Sequence, residues 1–70
     1  MKAKLNMPYT IKYEGKRIKF VRILPYYLGG FHIRCPGGPH GTLLQEARTF
    51  EEAQIWVDHH RDQRYVGRDK

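Results

Sequence analysis

The chain has 70 residues, of which 40% are hydrophobic and 29% are charged, a balance that excludes a disordered polypeptide and fits one small globular domain. A chain of this length buries only about 60% of the surface that it exposes when unfolded, so its core is too small to enclose a deep catalytic cleft, and we predict that it is not an enzyme. Thirteen Lys and Arg against seven Asp and Glu give a formal charge of +6. This charge is typical of domains that bind polyanions, although small proteins are also basic merely for solubility.

Cellular location follows from the cysteine content and from the absence of long apolar runs. The single cysteine, Cys35, has no partner for an internal disulfide, and small secreted domains usually need several disulfides. No stretch approaches the ~20 apolar residues of a membrane span, and the first seven residues lack the apolar centre of a signal peptide. We therefore expect a cytoplasmic protein without membrane contact.

The first half of the chain predicts a hairpin. Residues 1–8 show no period and end at a proline, which predicts a flexible basic lead-in. Alternating polarity predicts a strand at residues 9–13, and Glu14-Gly15 predicts a turn into a second strand at residues 16–24. Alternation fails near Val21, which predicts either a bulge there or burial of both faces at the strand's end.

The second half predicts two more strands and a helix. Alternation at residues 31–35 indicates a third strand, the Pro- and Gly-rich residues 36–41 indicate a loop, and residues 42–48 can form a fourth strand. Thr49 and Glu52 have the spacing of a capping box, in which the Thr49 hydroxyl accepts from the Glu52 amide and the Glu52 carboxylate accepts from the Thr49 amide. We expect the helix to end near residues 63–65, before Gly67. The predicted fold is α+β: a three- to four-stranded antiparallel sheet on one C-terminal helix (ββββα or βββα), a single domain at residues 9–65 followed by a frayed tail at residues 66–70.

Strand alternation divides the predicted sheet into two faces. The residues expected to face the helix are Tyr9, Ile11, Tyr13, Ile18, Phe20, Phe31, Ile33 and Cys35. The candidate nucleic-acid-binding residues lie on the opposite face and are Lys12, Arg17, Lys19, His32 and Arg34. Such a face suits phosphate contact, but the outer side of any two-layer sheet is solvated and must be polar in any case.

Four apolar and aromatic residues are candidates for a protein-binding surface instead. Tyr26 and Tyr27 lie in a predicted loop, where they can stack on unpaired bases, anchor a partner or simply cover the end of the core. Ile55 falls opposite the core stripe of the helix, with Trp56 at its margin. Isolated exposed apolar residues are common, so this pattern by itself is a modest indication of a partner.

Metal and catalytic chemistry find little support in the sequence. The four histidines and Cys35 lack the spacing of metal ligands, and the adjacent His59 and His60 point about 100° apart on a helix, so we expect no metal and no cofactor. Cys35 is expected on the inward face, where cysteine behaves as a small hydrophobe. Glu51 and Glu52 are explained by helix capping and the helix dipole.

Gly29-Gly30-Phe31-His32-Ile33-Arg34 is followed by a glycine-rich turn, another strand and then Thr49-Phe50-Glu51-Glu52-Ala53 with Trp56. Together these features resemble the arm-type, AP2-like DNA-binding domains at the N-terminus of phage and transposon tyrosine recombinases. The resemblance covers about residues 29–62. It implies a sheet that lies in the major groove, with base and phosphate contacts from Arg17, Lys19, His32 and Arg34. No recombinase catalytic domain is recognisable here and an extra hairpin precedes the similar stretch, so the resemblance implies an accessory binder.

The same stretch is loosely similar to HicB-like antitoxin domains, and short chains ending in such a helix look like small phage accessory proteins, some of which inhibit host defences. We therefore expect a binding module of phage or mobile-element type that contacts DNA or RNA through its basic sheet face. The alternative is an anti-defence or antitoxin-like inhibitor that engages a host protein or nucleoprotein complex. Either could be a monomer or, through its sheet edges, a homodimer.

Overall fold

The computed structural model describes residues 2–39 and 41–61, which form a four-stranded sheet and one helix. The elements are β1 (Tyr9–Tyr13), β2 (Lys16–Pro25), β3 (Phe31–Cys35), β4 (Thr42–Ala47) and α1 (Phe50–His60). The strands pair antiparallel in chain order, β1-β2-β3-β4, and α1 contacts β1, β3 and β4. The α+β prediction is confirmed in its four-stranded form.

The core lies between α1 and one face of the sheet, which we call the inner face. Its fully buried residues are Ala3, Ile11, Val21, Ile23, Ile33, Ala53 and Val57. Ile23 and Ile33 are direct partners in the β2-β3 ladder, so their side chains point to the same face of the sheet. Ala53 and Val57 lie four residues apart on α1, so their side chains point to the same side of the helix. Burial of each Ile or Val side chain contributes about 1.5–3 kcal/mol to stability.

A two-residue turn joins β1 to β2, as the sequence predicts. Tyr13 and Lys16 are paired, and the intervening Glu14 and Gly15 both have positive φ, of 52° and 80°. Positive φ at both central positions defines a type I′ turn, whose twist matches that of the strands it connects.

A bulge interrupts β2 and shifts its register. Ile11 pairs with Ile18 and Tyr9 pairs with Val21, so three residue steps on β2 match two on β1. The bulge expected near Val21 is thus confirmed, and its extra residue is at Lys19-Phe20. Phe20 has φ of 62° and its side chain is 55% exposed, so its predicted place in the core is wrong. The extra residue reverses the alternation, and Val21 and Ile23 enter the core instead.

The N-terminal segment packs against the domain and is not the free lead-in that its composition predicts. Ala3 is fully buried, its N–H donates to Asp58 Oδ2 at 3.3 Å and its carbonyl accepts from Gln54 Nε2 at 2.7 Å. Leu5 bridges to Ile23, whose carbonyl accepts from the Asn6 amide at 2.9 Å. A small core gains from covering apolar surface with any available segment, and composition alone does not report such long-range contacts.

The helix is capped as predicted at its start, with one difference. Thr49 Oγ1 accepts from the Glu52 amide at 3.1 Å, but the Glu52 carboxylate accepts from the Arg48 amide, at 3.0 Å, and not from the Thr49 amide. The helix ends at His60, earlier than the predicted residues 63–65, because Arg61 leaves the helix to bridge to Ile11 and to pair with Asp58 at 2.6 Å. Residues 62–70, including the predicted frayed tail, lie outside the described residues.

Candidate nucleic-acid interface

The face of the sheet away from α1, here called the outer face, carries two pairs of like charges. Lys12 is the direct partner of Arg17 in the β1-β2 ladder, and Arg22 is the direct partner of Arg34 in the β2-β3 ladder. Ile11, Ile23 and Ile33 are buried on the inner face and are the sequence neighbours of Lys12, Arg22 and Arg34, so these charged side chains point the other way.

The like charges within each of these pairs repel each other. Directly opposite residues have Cβ atoms about 4.5–5.5 Å apart, and equal charges at that position are destabilising. Lys12, Lys19 and Arg22 form no ion pair within residues 2–39 and 41–61. Glu46 is the ladder partner of His32 and brings one carboxylate to the edge strand β4.

The bulge adds a further cation and an aromatic ring to the outer face. Ile18 and Val21 both face the core side of the sheet, so the two residues between them share the outer position opposite Thr10. Lys19 and Phe20 are both exposed there. Lys19 is therefore where the sequence predicts it, and Phe20 is its unexpected neighbour.

His32 lies on the outer face as predicted, but only 7% of it is exposed. The Tyr26 ring stacks on it at a centroid distance of 3.9 Å and an interplanar angle of 20°. The Arg34 guanidinium lies 3.2 Å from its Nδ1. Because guanidinium can only donate, Nδ1 must be the acceptor, which places the proton of the neutral ring on Nε2. His32 thus helps to orient Arg34, and little of its own ring is exposed on the outer face.

The four candidate protein-binding residues do not form one surface. Tyr26 is half-buried over His32, and Tyr27 is 87% exposed with its ring edge-to-face on Tyr26 at 5.0 Å. Ile55 is 61% exposed on α1, which covers the other side of the sheet. Trp56 is half-buried and stacks on His60 at 4.0 Å, beside Tyr13.

Two outer-face residues, Arg22 and Phe20, escape the sequence prediction. An uninterrupted β2 would put Phe20 inside, and no face is assigned to Arg22 from the sequence. The hydrophobic pair Val21 and Ile23 was the available signal: if both are placed inside, Arg22 must point outward and a bulge must precede Val21.

No three His, Cys, Asp or Glu side chains of residues 2–39 and 41–61 come together as metal ligands do. Cys35 is partly buried against the core, as expected. No helix among these residues has the length and apolar character needed to cross a membrane.

Neither a protein-family model nor a curated protein nor a solved structure matches this chain. The resemblances to recombinase arm domains and to antitoxins therefore remain predictions. What the structure defines is the class: a small α+β domain with a four-stranded antiparallel sheet and one covering helix.

Proposed function

We propose that this protein is a nucleic-acid-binding module of the phage or mobile-element type and that the outer face of its sheet is the binding surface. The observation that carries the proposal is the stacking of like charges on one face, with Lys12 opposite Arg17 and Arg22 opposite Arg34. A solvated face needs polar residues but gains no stability from cations placed directly opposite each other, so the benefit of this arrangement lies in binding a ligand of opposite charge.

A polyanion supplies that benefit. Phosphates neutralise the paired cations and release condensed counterions, which drives binding and makes it depend steeply on salt. Lys19 and the His32-oriented Arg34 extend the charge on either side of Arg22. The net charge of +6 acts in the same direction by steering a polyanion toward the protein.

Fluorescence anisotropy with labelled single-stranded and duplex DNA and RNA, repeated over a series of salt concentrations, tests the proposal. We expect the logarithm of the association constant to fall linearly with the logarithm of salt concentration, by about 0.7–0.9 per phosphate contact. Lys12→Gln should weaken binding and reduce the slope by about one contact. Lys2→Gln is the matched control, because Lys2 lies beside Gln54 and Asp58 on the helix side of the domain. If none of these nucleic acids binds at low salt, the proposal is wrong.

A protein partner is the second candidate, and exposed Ile55 is the observation that favours it. Ile55 borders a shallow groove of about 280 Å³ that is also lined by Trp56, His59 and His60. An anti-defence or antitoxin-like protein could use this groove to engage a host protein. Affinity purification from the host with and without nuclease treatment separates the two candidates. A partner that is held through nucleic acid is lost after nuclease treatment. A partner that binds at Ile55 survives the nuclease but is lost when the Ile55→Asp variant is used.

A further inference from the structure

Phe20 combines two features that are unfavourable for the isolated protein. Its ring is 55% exposed although the chain has few large apolar residues with which to build a core. Its backbone is left-handed, with φ of 62°, a conformation that bulky side chains rarely adopt. Glycine would relieve the backbone and a polar residue would suit the exposure, so the fold itself gives no reason for phenylalanine here.

The position of Phe20 supplies a reason. It lies in β2 between Arg17 and Arg22, which are roughly 15 Å apart along the strand, and it shares the outer position of the bulge with Lys19. An exposed ring is thus placed in the middle of the basic face, with cations before and after it. Proteins that bind single strands combine a basic track for the backbone with aromatic rings on which bases stack.

We propose that the outer face binds single-stranded nucleic acid, with an unpaired base stacked on Phe20 and the neighbouring phosphates held by Arg17, Lys19 and Arg22. This proposal rests on the proposed function and narrows its ligand to strands with unpaired bases. A duplex offers phosphates to the same cations but keeps its bases stacked on one another, so it has nothing to place on the ring.

The test compares labelled oligothymidine and oligouridine of about 12 nucleotides with a stable mixed-sequence duplex, at low salt, by fluorescence anisotropy. We expect the single strands to bind more tightly than the duplex. Phe20→Ala should weaken single-strand binding roughly tenfold, within the range measured for loss of one stacked base, and change duplex binding less than twofold. Phe20→Tyr retains the ring and should bind as the unchanged protein does.

Two controls separate stacking from folding. Ile55→Ala removes an equally exposed apolar side chain from the helix and should not alter binding. Phe20→Gly should raise the urea midpoint of unfolding, because it relieves the left-handed backbone, while weakening single-strand binding as Phe20→Ala does. Opposite effects on stability and affinity cannot arise from a damaged fold.

The outcomes distinguish this proposal from the broader one. If Lys12→Gln weakens binding but Phe20→Ala does not, the outer face binds nucleic acid and the stacking proposal is wrong. Equal losses for single strand and duplex in Phe20→Ala, or tighter binding of the duplex by the unchanged protein, also overturn it. If neither ligand binds, both proposals fail together.

Discussion

Arg22 and Arg34 lie directly opposite each other on β2 and β3, on the face of the sheet that α1 does not cover. Arg34 is also held by the Nδ1 of His32, so one member of the pair is fixed in place while Arg22 makes no ion pair within the described residues. Their repulsion opposes folding, whereas under the proposed function Arg22 favours binding, so we expect its contributions to folding and to binding to be opposite in sign.

Arg22→Gln should therefore separate the two contributions. We expect stability to stay unchanged or to rise by up to about 1 kcal/mol, because a like-charge cross-strand pair is removed. We expect affinity for nucleic acid to fall about tenfold, the effect of losing one charge-assisted contact. Urea unfolding and anisotropy measure the two quantities. A loss of stability together with affinity would assign Arg22 a structural role and remove it from the interface.

Gly30 is required by a close backbone approach. A Cβ at this position would lie 2.6 Å from the Ala47 carbonyl oxygen, and φ is 77°. Gly15 has a similar φ of 80° but no atom within 4 Å of its would-be Cβ. Gly15→Ala should cost about 1–2 kcal/mol for the backbone alone. Gly30→Ala should lower the free energy of unfolding in urea by clearly more than Gly15→Ala does. Equal losses in the two variants would show that β4 moves away from the added Cβ at little cost.

Glu14 occupies the first central position of the type I′ turn with φ of 52°. Asparagine adopts this conformation more readily than glutamate and is preferred before glycine in such turns. Glu14→Asn should raise the free energy of unfolding by up to about 1 kcal/mol. Glu14→Gln removes the same charge without the backbone preference, so a gain in both variants would identify electrostatics as the cause.

The Thr49 hydroxyl caps α1 through the Glu52 amide. Thr49→Ala should lower the free energy of unfolding by about 1 kcal/mol, because that amide loses its acceptor at the start of the helix. Thr49→Ser retains the hydroxyl and should retain most of the stability. Thermal or urea unfolding of the two variants gives the comparison, and equal losses would point to the missing methyl group and away from the cap.

Local signals in the sequence predicted the parts of the fold that local interactions determine. The Glu14-Gly15 turn, the Thr49 cap and the four strands depend on residues close in sequence, and all are present. The position of the bulge could not be resolved to one residue, because alternation shows that a register breaks without showing which residue is extra. Misplacing Phe20 in the core followed from that uncertainty.

Long-range contacts explain the remaining errors. The Tyr26 ring hides His32, and the Arg61 bridge to Ile11 shortens the helix, and neither contact joins sequence neighbours. Four residues of the outer face were nevertheless predicted correctly from strand alternation, which determines the side of the sheet on which each one lies. These residues are Lys12, Arg17, Lys19 and Arg34. Their role in binding stays a prediction until affinities are measured.

The bonds from Ala3 to Gln54 and Asp58 join parts of the chain separated by 51 and 55 residues. Because Leu5 and Asn6 of the same segment are also bound to Ile23, the first residues connect the helix to the middle of the sheet. Helix and sheet should then open in a single cooperative step. In amide hydrogen exchange, the amides of α1 and of Asn6 should then show one shared opening free energy. In the Gln54→Ala variant, the amides of α1 should exchange faster than those of the sheet.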